Sequence, residues 1–311
     1  MVRQQMAETE SVLVLIPSYN HGRFIHDRVM SVLNQGHRDL DVMVIDDGST
    51  DSTMEVLSKI NDPRFKAVQR EVNSGTPFAA WYDAREIIRA GSYRYIWIAE
   101  SDDRAASDFL ERGVAALGSN PAASLYFCHS WFIDERDLIL GHSINYLSRQ
   151  FPDLDWRERW IMPGPEFSRA TLVRGMSIPN MSSALMRADA FCAALTPDLS
   201  RYKLAADWIF AASIARHGDV IFDPVDNNFF RHHARTSRSE TALARVVFEH
   251  MCATYSAYRF GKVDRNAYQS QMKILGGMYR YERVRFEDFC RVGAKISKSR
   301  LLRFLPFVMM R

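Results

Sequence analysis

Glycine and proline are scarce in this 311-residue chain, at 15 and 11 residues, and no segment recurs at a fixed spacing. Collagen-like, linker-rich and repeat architectures are thereby excluded. Cysteine is scarcer still: Cys128, Cys192, Cys252 and Cys290 stand far apart with no C-x-x-C pair, which argues against a zinc site or a disulfide framework. No run reaches the ~20 apolar residues of a membrane span, and residues 1–10 lack the apolar stretch of a signal peptide. A reduced, cytoplasmic protein is expected.

What is present is apolar enough to fold: 47% hydrophobic residues over this length can bury one sizeable core or two modest ones. The net charge of +3 conceals an asymmetry. Residues 1–230 hold 23 Lys and Arg against 31 Asp and Glu, whereas residues 231–311 hold 17 against 6. The cationic tail suits an anionic lipid surface or a phosphate-bearing substrate, and the acidic remainder argues against nucleic acid as a partner.

Apolar, β-branched runs predict strands at residues 11–16, 41–45, 65–69, 93–99 and 124–128. Helical spacing separates them. Phe24, Ile25, Val29, Val32 and Leu33 form one stripe; Met54, Val56, Leu57 and Ile60 form another, capped by Ser49 or Asp51; Thr76-Pro77 opens a third that runs to Arg89, and a fourth begins near Ser107. This alternation predicts a doubly wound α/β domain with a mostly parallel sheet. Residues 134–200 read as a substrate-facing extension, helical spacing returns at 204–216, and a strand-like run follows at 220–222. From about residue 240 the chain is helical and basic. Residues 295–311 mix Lys and Arg with Leu, Phe, Val and Met, as interfacial helices do, although an ordinary helix packed on the core fits equally and Pro306 would break a long one.

Ligands of an open parallel sheet bind beyond the carboxyl ends of its strands. Three polar clusters fall there: residues 17–20, 46–49 and 100–103. Taken singly, each is also ordinary turn and capping chemistry. The phosphate-cradling alternatives are missing: the first strand is followed by Pro17-Ser18-Tyr19-Asn20-His21-Gly22 instead of a glycine-rich turn, and no Gly-Lys-Ser/Thr loop occurs. A sheet edged with carboxylates must bring phosphate in with a divalent cation, and the hard oxygens of Asp102 and Asp103 suit Mg2+ or Mn2+.

The segments Ser-Val-Leu-Val-Leu-Ile-Pro-Ser-Tyr-Asn, Val-Ile-Asp-Asp-Gly-Ser-Thr-Asp-Ser-Thr, Asn73-Ser74-Gly75 and Ile98-Ala99-Glu100-Ser101-Asp102-Asp103 closely resemble, in order and spacing, the inverting family 2 glycosyltransferases of GT-A fold. Residues 179–187 and Ala206-Asp207-Trp208 resemble acceptor-side segments of that family more loosely. The resemblance implies that Pro17, Ser18, Tyr19 and Asn20, with Asp46, Asp47, Asn73 and Gly75, hold the nucleoside, a carboxylate reading the base edge and the tyrosine packing on its ring. It further implies that Asp103 is the direct metal ligand and that Asp102 lies nearer the ribose or donor sugar. Glu100 stands where the family commonly has Asp, and with Ser101 it falls on the donor-sugar side.

An inverting transfer needs a base for the acceptor hydroxyl. Asp207 is the candidate, with Trp208 beside it to pack on a sugar face; a helix N-cap is the plain alternative for Asp207. The basic run at residues 229–238 could close over the departing diphosphate through Arg231 and His232, with His233 completing the metal shell, or it could be a solvated loop. His21, His26, His129 and His217 have no carboxylate at ligand spacing and are expected to be structural. Trp81, Trp97 and Trp131 are expected in the core. Trp156 and Trp160, four apart, are expected on one helix face, with a sugar platform as the alternative.

The resulting expectation is a GT-A domain over residues 1–238, with a nucleotide-sugar part (11–130) and an acceptor part (131–238), followed by a helical basic region over 239–311. It would transfer a sugar, uridine-diphosphate-linked as the resemblance implies, to a glycan or lipid-linked glycan in surface polysaccharide synthesis. Contact with the inner face of a membrane would run through 295–311. A nucleotidyltransferase and a non-catalytic subunit of the same fold are the alternatives.

Overall fold

A computed structural model describes residues 10–233, 242–282 and 284–309. Strands β1 (Val12–Ser18), β2 (Leu40–Asp46), β3 (Phe65–Gln69) and β4 (Tyr95–Ile98) lie where the apolar runs place them. They pair in parallel, β2 with β1 and β3, and β1 with β4. Every residue of β1 is buried, which is why its sequence is continuously apolar instead of alternating.

The second part of the sheet is less regular. It contains β5 (Arg104–Ala105), β6 (Ala123–Ile133), β7 (Ile139–His142), β8 (Trp160–Pro163), β9 (Ala184–Arg187) and β10 (Asp219–Arg231). The main order is β3-β2-β1-β4-β9-β6-β10-β5. β6 and β10 are parallel, while β9 runs antiparallel to both β4 and β6 and fills the space between them. The sheet is therefore mostly parallel in its long strands, with one antiparallel insertion that periodicity did not reveal. A strand of four residues carries too few positions for a pattern. β6 and β10 run to 11 and 13 residues, longer than the expected 124–128 and 220–222. A register shift between Asp223 and Asn228 interrupts the apolar run in β10.

Helices cover both faces. Ile25–Leu33 and Phe109–Ser119 bury their apolar sides on Val12, Val14, Tyr95 and Trp97. Phe78–Ala90, Ser143–Gln150 and Ala206–Ile214 pack on the other face, with Leu13, Leu15, Ile96 and Ile98. Trp81 and Trp97 are core residues as expected, and Trp131 is half-buried. Trp156 and Trp160 share no helix: Trp156 sits in a turn, Trp160 in β8, and their rings meet at 5.6 Å, each also 5.1 Å from Phe222. This aromatic cluster packs the interior, with Trp156 fully buried, so neither the helix face nor the sugar platform is found.

The C-terminal helices are Leu243–Phe260, Arg265–Tyr281, Phe286–Ile296 and Lys298–Met309. Val247, Phe248, Met251 and Cys252 of the first join the same apolar cluster as Phe210 and Leu13. The expected boundary at 238/239 and the basic residues 234–238 lie outside the described residues, as do Met310 and Arg311 of the tail. Helix Lys298–Met309 continues through Pro306, buries Phe304 and Val308, and leaves Leu302 and Met309 exposed. Among the described residues no helix is long and apolar enough to cross a membrane.

Candidate active site

The carboxyl ends of β1 and β2 carry two loops that close on each other. The Asn20 N–H donates to Ser49 Oγ (2.7 Å), and Asn20 Oδ1 accepts from the Thr50 N–H (2.9 Å), with Asn20 at a φ of 55°. Asp46 is fully buried and spends its carboxylate on the Ser49 N–H (2.8 Å) and the Ser49 hydroxyl. That geometry locks a turn, and it leaves Asp46 no free edge for a base. Asp47 accepts from the N–H (3.0 Å) and hydroxyl (2.8 Å) of Ser74 and so ties down the loop containing Asn73 and Gly75. Asn73 Oδ1 accepts from the Gly75 N–H, and Gly75 sits at a φ of 75° that favours glycine. Pro17 and Ser18 are buried in β1, whereas the ring of Tyr19 stands about half exposed, at 47%, open to a planar ligand. Helix Thr53–Leu57 is capped by Asp51, whose Oδ1 accepts from the Thr53 N–H (2.9 Å), and not by Ser49.

Beyond β4 the acidic loop turns its two aspartates to different partners. Asp102 meets His233 (Oδ2 to Nε2, 2.9 Å), and with His21 they form a cluster in which one ligand atom from each lies within 4.8 Å of the others. Ser101, buried, holds the His21 ring through Nδ1 at 2.6 Å. His21, set apart on sequence grounds as structural, thus belongs to the site; its position directly after residues 17–20 was the signal. Asp103, the expected direct ligand, is instead sealed inside. Its Oδ1 accepts from the Arg231 N–H (2.8 Å) and its Oδ2 from the Asn180 amide, which continues through Asn228 to Ser130 (each 2.9 Å). Asn228 carries no local sequence signal and Asn180 only the loose acceptor-side resemblance of residues 179–187, because β10 and the 180–183 turn meet only in the fold.

Arg231 is likewise buried and fully used. Nε donates to the Asp102 carbonyl (2.7 Å), Nη1 to the Asp134 carbonyl (2.6 Å) and Nη2 to Asp137 (2.6 Å), while the guanidinium lies 4.8 Å over the Phe24 ring. The expected closure of Arg231 over a diphosphate is not available to a side chain so committed; it pins the loop. Electrostatics follow from burial and these contacts. Glu100 is pushed up to about 8 by burial and then by Asp102, Asp103 and Asp207. Burial and the Asp102 charge raise Asp103 as well. Burial also pulls Asp102 upward, but the His233 hydrogen bond and the two imidazoles outweigh it and hold it low. His233 is raised by that hydrogen bond, while burial lowers His21.

Asp207 opens helix Ala206–Ile214 from its first turn. It is not the N-cap, which is Ala205; its Oδ1 accepts from the neighbouring Trp208 N–H (2.7 Å), while the N–H groups of the segment that leads into the helix are taken by Glu249. That fully buried carboxylate, on helix Leu243–Phe260, accepts from the N–H groups of Lys203 (3.1 Å), Leu204 (2.7 Å) and Ala205 (3.1 Å) and pairs with Arg245 (2.8 Å). Trp208 faces the core, with its indole N–H on the Leu172 carbonyl (2.8 Å), and so offers no sugar platform.

An aromatic surface lies elsewhere. Alternation along β10 sets Arg231 and His233 to the side of Phe24, and Phe230 and His232 to the other. There the exposed His232 meets Phe230 (4.7 Å) and Phe132 (5.1 Å), and Phe132 stacks on Tyr146 at 6.1 Å. An opening of about 220 Å³ is lined by Phe132, Tyr146, His142, Asn145 and Arg149. It shares the sheet face of helix Ala206–Ile214, which carries Asp207.

Residues 13–191 match the family described as Glycosyl transferase family 2. A putative teichuronic acid biosynthesis glycosyltransferase of Bacillus subtilis is 36% identical over 103 residues, covering 32% of this chain and 39% of the relative. An Escherichia coli UDP-Glc:alpha-D-GlcNAc-diphosphoundecaprenol beta-1,3-glucosyltransferase is 24% identical over 131 residues, 42% and 49% of the two chains. The chain thus matches less than half the length of either relative. The fold is that of the S. aureus TarS 1-349 structure in complex with UDP-GlcNAc, with a TM-score of 0.60 at 15% identity over 96% of this chain and 88% of that one. Since the family match spans more than half of the 311 residues and includes the loops after β1 and β2 and the acidic loop, this chain belongs to glycosyl transferase family 2.

Proposed function

We propose that the enzyme transfers a sugar, with inversion, from a UDP-linked donor to a hydroxyl of a glycan or lipid-linked glycan during surface polysaccharide synthesis. The observation that carries this reading is the meeting of His21, Asp102 and His233 at the carboxyl edge of the sheet, beyond the exposed ring of Tyr19. Two imidazoles and one carboxylate suit Mn2+ better than Mg2+, which prefers oxygen alone. When bound there, the cation supplies positive charge to the departing diphosphate.

The chain's own residues do the rest. Tyr19 packs on the base, and Asp47 with residues 73–75 forms the wall of the nucleoside pocket. The acceptor oxygen attacks the anomeric carbon opposite the diphosphate, the bond from that carbon to the diphosphate oxygen breaks, and the hydroxyl proton passes to the Asp207 carboxylate. Anchoring of residues 203–205 by Glu249 supports this role for Asp207, since it fixes where the helix that carries the carboxylate begins. The acceptor chain lies along Phe132, Tyr146, Phe230 and His232, whose ring faces suit a pyranose and which share the sheet face of Asp207's helix. The Bacillus and Escherichia relatives, named for teichuronic acid and for a lipid-linked acceptor, support the substrate class. Family membership supports glycosyl transfer over the nucleotidyltransferase alternative.

A peripheral, cytoplasmic position on the membrane's inner face is part of the reading. Exposed Ile274, Met278, Tyr281, Leu302 and Met309 on two packed helices, with Lys298 and Arg303 beside them, support it. Thermal-shift titration with UDP, GDP, dTDP and CDP, each with and without Mn2+, tests the donor assignment. UDP alone should stabilise strongly and should need Mn2+ to do so; equal shifts for all four, or no metal effect, would refute it.

A further inference from the structure

Arg28 lies on helix Ile25–Leu33 and is wholly buried, yet Nε, Nη1 and Nη2 have no hydrogen-bond partner among the described residues. A guanidinium removed from water without partners costs several kcal/mol, so the fold must offset it by other means. One is the Trp97 ring, 4.7 Å beneath the guanidinium carbon. Trp97 is itself fixed: its indole N–H donates to the Ser182 carbonyl (2.8 Å), and the Ser182 hydroxyl accepts from the Glu100 N–H (2.9 Å). The other is charge. Asp103, Glu100 and Asp102, in that order, act on Arg28 to keep it protonated against its burial.

The acidic loop is therefore held between two arginines of unlike kind. Arg231 grips it through directional bonds to Asp102 and, through its backbone, to Asp103. Arg28 touches none of the carboxylates by a hydrogen bond and acts only through its field, which reaches all of them together and is strong where water is absent. Glu100, Asp102 and Asp103 stand within four consecutive residues, joined in the same field by Asp207. Burial and then their mutual repulsion raise Glu100 and Asp103, and the buried Arg28 charge opposes the shift.

We propose that Arg28 is a positioning residue: a sealed counter-cation, stacked on Trp97, that holds the Glu100–Asp103 loop in its receiving geometry before metal and donor arrive. This rests on the reading of that loop as part of the donor site, but its electrostatic core is testable without donor or metal. Because the role needs charge and no directional bond, Lys should serve and Met should not.

The experiment uses the full chain with Arg28→Met, Arg28→Lys, Glu100→Gln and the Arg28→Met/Glu100→Gln double variant. Two readouts apply: the thermal midpoint of metal-free protein at a pH above the value of about 8 to which Glu100 is raised, where its charge is present, and UDP affinity in Mn2+ by calorimetry. Arg28→Met should lower the midpoint and weaken UDP binding about 10-fold, Arg28→Lys should stay within about twofold of the parent, and Glu100→Gln should restore the midpoint lost to Arg28→Met. A merely structural arginine would give additive losses in the double variant, and that result overturns the proposal. So does Arg28→Lys behaving as badly as Arg28→Met. If Arg28→Met does not fold, Arg28→Lys and the double variant decide alone: a folded, UDP-binding double variant supports the role, and an unfolded one overturns it. Loss of UDP binding in every protein including the parent, with the midpoint pattern intact, would fault the donor reading and leave the counter-cation standing.

Discussion

From β1 to β4, polar side chains close loops through partners near them in sequence: Asp46 on Ser49, Asp51 on Thr53, Asp47 on Ser74 at a separation of 27 residues. In the acidic loop beyond β4 the partners are remote. Asp103 bonds Asn180 at a separation of 77 and Arg231 at 128, and Asp102 bonds His233 at 131. The β1–β4 half is thus a set of self-contained turns on strand ends, while the cluster of His21, Asp102 and His233 exists only once distant segments have come together. Function in the first half is exposed to local change; function in the second is exposed to anything that moves a strand or helix.

That contrast can be attacked at several points. Asp207→Asn, on the remote side, should reduce kcat by about 10² to 10⁴-fold while UDP affinity measured by calorimetry is unchanged; undiminished transfer would remove Asp207 as base. Glu249→Ala strips the acceptor from three backbone N–H groups and leaves Arg245 unpaired. It should cost about 3 kcal/mol in denaturant unfolding and lower transfer more than donor binding. Ser101→Ala releases the His21 ring and should weaken Mn2+ binding about 10- to 100-fold, read by metal titration of UDP-bound protein. Asp51→Ala, in the β1–β4 half, should cost about 1 kcal/mol as a lost cap, with kcat nearly unchanged. Smallest of all, Leu302→Ser should leave stability and turnover alone and lower co-flotation with anionic phospholipid vesicles; unaltered flotation would remove that helix from the proposed surface.

The same contrast explains what could be read beforehand. β1, β2 and β4 were legible because they are apolar runs, Val, Leu and Ile in β1, residues 42–45 in β2 and Tyr-Ile-Trp-Ile in β4, with β1 and β4 buried throughout. The loops at their ends were legible as sites, but not the division of labour inside them. Asp46 and Asp47 are adjacent and chemically identical, yet one is sealed on Ser49 and the other faces Ser74. Asp102 and Asp103 likewise differ only because the Arg231 N–H and the Asn180 amide approach one of them from strands the sequence does not mark as neighbours. His21 was passed over because a histidine is informative only with its partners, and those lie 80 residues away at Ser101 and farther still at His233. Trp156 and Trp160 misled through spacing: four residues suggested a helix, but a turn and a strand bring the rings together.

The strand that fills the middle of the sheet has one more consequence, for the order in which the protein can be made. β4 and β6 are not paired with each other; β9 stands between them, matching Tyr95 with Arg187 on one side and Phe127 with Ala184 on the other. As the chain emerges from the ribosome, β1 to β4 can pair soon after they appear, but β4 keeps an unpaired edge until Arg187 has been synthesised, and the second half has nothing to register against before then. Such late closure slows folding and leaves an edge open to wrong partners. A nascent chain stopped near residue 130 would hold every donor motif and still expose that edge, which makes it a substrate for chaperones and not a small nucleotide-binding domain.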